Sequence, residues 1–105
     1  IEAIRKGITK YTPANGTVEL RKAIAAATLK DIGQSYAVNE IAVTSGAKFA
    51  IFAALQVLCD ATDEVIIHSP YWVSYPTMVE LAGAKPVLVT CTEETNFKIT
   101  ADLLK

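Results

Sequence analysis

Ser45, Gly46, Ala47 and Lys48 stand in a row, directly ahead of the apolar stretch 49–58. A hydroxyl, two residues with almost no side chain and then a cation are the ingredients of an anion site. The first N–H groups of a helix have no partner within it, and the aligned peptide dipoles add about half a positive charge at that end. Gly46 and Ala47 leave room for a phosphate to approach the backbone, and Ser45 can donate its hydroxyl. Lys48 in that first turn is unfavourable by a few tenths to about 1 kcal/mol, because like charges meet. An anionic ligand reverses the sign. The plainer reading has Gly46 and Ala47 permitting close strand–helix packing while Lys48 extends to water. The pattern is neither a Walker loop nor a G-x-G-x-x-G fingerprint, so nucleotide binding in general gains little.

A second stretch, "HSPYWVSYP" (68–76), follows a short apolar run. It falls at the C-terminal end of a parallel strand, where open α/β sheets place their ligands. Trp72, the sole tryptophan, offers a flat face for stacking and one N–H donor. Its plainer role is a packing plug at a strand–helix corner. His68 is assigned to structure, since no carboxylate or hydroxyl is placed by the sequence to orient it.

The elements that must position these residues alternate. Residues 1–6 read as the last turns of a helix stopped at Gly7. A loop with Pro13, Asn15 and Gly16 follows, then a helix capped by Thr17 that runs to Ile32 and ends at Gly33. Leu20, Ala23, Ile24 and Ala27 are expected on its buried face, with Arg21, Lys22 and Lys30 solvated. Strands are predicted at 40–44 ("EIAVT"), 64–68 ("EVIIH") and 86–91 ("PVLVTC"). Helices are predicted at 46–58 and 73–82, with another opening after Thr100. This order predicts α/β with a mainly parallel sheet. The helix 46–58 is apolar all round, so it needs cover on every side. The chain also opens inside an amphipathic pattern (Ile1, Ile4, Ile8) and stops as a new helix begins, so it is read as one partial domain.

The bulk properties exclude some partners. A net charge of −1 gives no basic surplus for nucleic acid. No apolar run approaches the roughly 20 residues that span a bilayer. Cys59 and Cys91 have no metal-ligand spacing and read as reduced, buried small hydrophobes. No metal site is expected.

Taken together, "KYTPANGTVELRKAI", "VTSGAKFAIFAALQVL", "DEVIIHSPYWVSYPTMVELAGAKPV" and "NFKITADLL" resemble the class I (fold-type I) pyridoxal-phosphate-dependent aminotransferases. The likeness is strongest to the prokaryotic-type aspartate aminotransferase subgroup, and it covers essentially the whole chain in order. It implies the N-terminal part of a large, cofactor-binding domain of three α/β/α layers, here incomplete. Residues 1–33 would supply helices and a dimer-facing loop, and 40–105 a βαβαβ portion. It implies pyridoxal 5'-phosphate as cofactor, with Ser45, Gly46 and Ala47 as the phosphate cradle. Trp72 would stack on the pyridine ring and bond the substrate. Lys48 would bind the distal carboxylate of aspartate or glutamate, and Tyr11 would reach the cofactor phosphate of the other subunit of a homodimer. The family's cofactor-bearing lysine and its arginine for the α-carboxylate lie beyond Lys105, so no residue here is assigned the catalytic role. The implied activity is amino transfer between an amino acid and a 2-oxo acid in the cytoplasm, without nucleic acid or membrane; the isolated stretch is expected to be inactive.

A related aromatic, prephenate or alanine aminotransferase, or a carbon–sulfur lyase, could share every motif quoted. Outside enzymes, the alternative is the aminotransferase-like domain of some bacterial transcription regulators, which a helix-turn-helix upstream of Ile1 would mark. In the family sheet the first strand does not lie beside the second, so "EIAVT" is expected to lack its pairing partner. An edge of that kind invites aggregation.

Overall fold

The computed structural model describes residues 1–105, which form two compact units, Ile1–Gly46 and Ala47–Lys105. In the first, α1 (Glu2–Arg5) is a single exposed turn, and Gly7 follows it at φ +69°. Helix α2 (Val18–Ile32) begins where Thr17 accepts a hydrogen bond from the Leu20 N–H at 3.3 Å. It ends at Gly33, which takes the left-handed conformation at φ +72° and donates to the Leu29 carbonyl. Cap and stop both fall where the sequence puts them.

The buried face of α2 matches the expected one only at Ile24. Arg21, Ile24, Ala25 and Thr28 form the covered stripe, and Leu20 is exposed. Arg21, expected in solvent, is only 8 % exposed. Its long apolar stem packs like a hydrophobe, while Nη1 donates to the Val38 carbonyl at 2.9 Å.

The strand predicted at 40–44 is absent. Val38–Glu40 form a 3-10 turn, in which the Glu40 carboxylate accepts from the Ala37 N–H at 2.7 Å. Residues 41–44 then run without a strand partner. Val43 donates instead to the carbonyl of Asn15, at 3.0 Å. A strand is defined by its neighbour, and here the neighbour is a loop.

The second unit contains α3 (Ala47–Leu58), β1 (Glu64–Ser69), α4 (Ser74–Leu81) and β2 (Lys85–Thr90). The strands are parallel, in a register running from Glu64 opposite Lys85 to Ser69 opposite Thr90. A parallel pair needs a crossover, and α4 supplies it. Pro86 occupies the second position of β2 rather than the first, because the pairing extends back to Lys85. Ile67, Val79 and Ala84 are the centre of the core, with Leu55, Cys59, Val65 and Tyr75 against them. Cys91 is buried and Cys59 half-buried, and both are free thiols.

Cover over these elements is incomplete. No residue of α3 is buried, and Val57 and Leu58 are 84 % and 77 % exposed. β1 reads as a strand covered on both faces, yet only Ile67 within it is buried. After β2 the chain makes short 3-10 turns at Glu93–Thr95 and Ala101–Leu104. Thr100 precedes the latter without a side-chain capping bond, and residues 101–104 take a 3-10 rather than an α-helical form. No helix is long and apolar enough to cross a membrane.

Candidate functional site

The turn at Ser45 and Gly46 closes the first unit. The Thr44 hydroxyl donates to the Gly46 carbonyl at 3.0 Å, fixing the turn from within. Gly46 sits at φ +108°, a conformation that favours glycine, and a Cβ built there would enter open space. Ser45 and Gly46 are exposed, so the backbone of the turn is accessible. Tyr11, on the loop ahead of α2, is fully exposed and makes no contact that orients it towards this turn.

Ala47 and Lys48 open α3 in the second unit. The Lys48 ammonium lies 4.6 Å from the centroid of the Trp72 ring. A cation over an indole face gains roughly 0.5–1 kcal/mol at an exposed site, enough to offset an unfavourable place in the first turn of a helix. Trp72 is reached after β1 ends and the chain passes the cis Ser69–Pro70 bond. Its carbonyl accepts from the Tyr75 N–H at the start of α4, and the Tyr75 ring meets the indole edge-on at 5.6 Å and 90°. Edge-to-face pairing of this kind sets the indole plane.

Beside this trio lies a cavity of about 480 Å³, with Ile51, Leu55, Ile66, His68, Trp72 and Tyr75 among its walls. Its size suits a small organic ligand. The walls are mostly apolar, with the His68 imidazole and the polar tips of Tyr71, Trp72 and Tyr75 as exceptions. His68 is exposed at the end of β1. An apolar cleft next to an ammonium can take a flat or apolar body carrying a carboxylate.

Of the residues singled out from the sequence, the structure brings Lys48 and Trp72 together. Ser45 and Gly46 form one exposed turn, and Tyr11 stands on a different loop. Tyr75 was not singled out, although its place three residues after Trp72, at a helix start, was a usable signal. The apolar walls Ile51 and Leu55 carry no signal of their own beyond helical spacing.

Fold and site together define a class. The family profile described as aminotransferase class I and II matches residues 2–105, and the chain belongs to that family. Its α/β architecture with parallel strands is part of that family's fold. The aspartate aminotransferase of Bacillus subtilis (strain 168) is 47% identical over 105 residues, which is 100% of this chain and 27% of that protein. Among solved structures, an aspartate aminotransferase from Thermus thermophilus with maleate superposes with a TM-score of 0.91 at 42% identity, covering 98% of this chain and 27% of that one. An aromatic aminotransferase from Pyrococcus horikoshii OT3 also gives 0.91, at 41% identity, over 98% of this chain and 28% of its own. The chain thus spans about a quarter of the length of the curated relatives it matches.

Proposed function

We propose that this chain is the N-terminal part of the large, cofactor-binding domain of a pyridoxal-phosphate-dependent aminotransferase. The intact protein would exchange an amino group between aspartate or glutamate and a 2-oxo acid. The observation that carries the substrate class is the Lys48 ammonium held 4.6 Å over Trp72, beside an apolar cleft. A cation so placed is a partner for a substrate's second carboxylate, and a charge-assisted bond there is stronger than a neutral one.

The residues present fit the cofactor. Its phosphate needs accessible backbone donors, and the turn at Ser45 and Gly46 is exposed, with open space where a Cβ would point. That space is what a phosphate oxygen would use. Ser45 would add its hydroxyl and Ala47 its N–H. The indole of Trp72, braced by Tyr75, would present a flat face to the pyridine ring and its N–H to a substrate oxygen. When bound, pyridoxal phosphate supplies an electron sink for the bonds around the substrate α-carbon. The work of this chain is to bind, orient and exclude water: the turn anchors the phosphate, Trp72 sets the ring plane, and Lys48 selects the substrate's far end. Tyr11, exposed on its loop, is proposed to reach the phosphate bound by the second subunit of a homodimer.

Similarity to an aspartate enzyme with maleate, a dicarboxylate, supports this reading. Equal similarity to an aromatic aminotransferase supports a second one, in which Tyr71, Trp72 and Tyr75 receive an aromatic side chain. Amino transfer to 2-oxoglutarate from aspartate and from tyrosine, measured on the intact protein, decides between them. A higher kcat/KM for aspartate is expected. A preference for tyrosine would assign the cleft to aromatic substrates, and no transfer from either would overturn the enzyme reading.

A further inference from the structure

Asn15 and Gly16 lie between Tyr11 and the Thr17 cap, and neither takes part in the proposed site. An asparagine followed by glycine is chemically labile. The Gly16 nitrogen can attack the amide carbon of the Asn15 side chain, because glycine has no Cβ to shield it. A C–N bond forms and closes a cyclic imide, and ammonia leaves with the proton taken from the Gly16 N–H. Water then opens the ring to aspartate or isoaspartate.

Asn15 is exposed, so water reaches it. The peptide group joining it to Gly16 is nevertheless held at both ends. Its N–H, from Gly16, donates to the Pro13 carbonyl at 2.9 Å and closes a β-turn. Its carbonyl, from Asn15, accepts from the Val43 N–H at 3.0 Å. Gly16 stands at φ +90° and packs so closely on Val43 that a Cβ there would lie 2.7 Å from the Val43 Cβ. Ring closure must rotate this peptide plane about the Asn15 Cα–C bond, to bring the Gly16 nitrogen to the side chain. That rotation breaks both hydrogen bonds at once. Backbone groups alternate between the two edges of an extended stretch, so the Val43 bond leaves the opposite edge of 41–44 open to a strand of the family sheet. The hold on Asn15 and that sheet coexist in the intact protein.

We propose that Asn15 is a deamidation site that the folded chain keeps latched, through the Pro13 and Val43 bonds to the 15–16 peptide group. Only molecules in which this turn has opened react, and the product is permanent. Isoaspartate brings a new negative charge and one more backbone carbon, so it no longer presents the same peptide plane to Pro13 and Val43.

The test follows the intact protein in mildly alkaline buffer, beside a synthetic peptide of residues 11–21, the piece trypsin releases after Lys10 and Arg21. Mass spectrometry reads conversion of the Asn15 amide to an acid in both, and enzymatic methylation of isoaspartate identifies the rearranged product. The latch requires the intact protein to react at least about tenfold more slowly than the peptide, the ratio for a turn open roughly a tenth of the time or less. Equal rates overturn it. Val43→Pro removes the N–H that holds the Asn15 carbonyl, at an edge where a strand tolerates proline. It is expected to bring the rate most of the way to the peptide's, and a rate as slow as the unaltered protein's overturns the latch. Should Val43→Pro fail to fold, amide exchange in the unaltered protein decides. The Gly16 N–H must then exchange far more slowly than in the peptide, and exchange at the peptide's rate contradicts the proposal.

Discussion

Lys48 is placed where the physics of an isolated helix would not put it. The first turn of α3 is already electropositive, and the ammonium finds a π face rather than a carboxylate. An interaction worth roughly 1 kcal/mol would be exchanged for a charge-assisted bond of about 1.5–3 kcal/mol on the proposed binding of a dicarboxylate. Lys48→Ala in the intact protein is therefore expected to raise KM for aspartate and glutamate about 10- to 100-fold and KM for aromatic substrates far less. Steady-state kinetics on both classes checks this, and equal effects would discard the carboxylate role. At this scale the sequence shows residue types well and geometry poorly. The order of Ser45, Gly46, Ala47 and Lys48 is enough to propose an anion turn. That Tyr75 would brace Trp72, and that Arg21 would be buried, depends on contacts between segments distant in the chain.

The elements that local chemistry specifies are the ones legible without the structure. The Thr17 cap, the Gly33 stop and the β-branched run of β1 are each decided within a few residues, and they fall within a residue or two of expectation. The segment 40–44 fails because a strand needs a partner that no local signal supplies. Thr17→Ala is expected to cost about 1 kcal/mol through the lost bond to the Leu20 N–H. Gly33→Ala should cost about 1–2 kcal/mol, since alanine resists a φ of +72°. Met78→Ala should cost about 2–5 kcal/mol, because Met78 is 5 % exposed and its removal leaves a cavity. Denaturant unfolding of the intact protein measures all three. The loop before β1 adds a pH dependence. The Thr62 hydroxyl, and then its N–H, donate to the Asp60 carboxylate and hold its pKa below the ordinary value. A carboxyl depressed in the folded state contributes stability that is present above its unfolded pKa and is lost as pH falls through the folded one. Asp60→Asn should therefore flatten the acid limb of a stability–pH profile, and an unchanged limb would show that the bonds do not persist in solution.

At the scale of the whole molecule, apolar surface is left bare. Phe49, Val57 and Leu58 on α3, with Ile66 and Leu88 on the strands, are all at least half exposed, and the parallel sheet has two strands. Exposed apolar patches together with unpaired strand edges favour association. The chain expressed by itself is expected to self-associate and to bind a hydrophobic dye, as light scattering and dye fluorescence would show. A cooperative, monomeric melt would contradict that. The decisive observation is the crystal structure of the intact protein with pyridoxal phosphate. The phosphate should lie against the backbone of Ser45, Gly46 and Ala47, with the Trp72 indole facing the ring. A cofactor bound elsewhere, or none bound at all, would remove the basis for every role assigned to this chain.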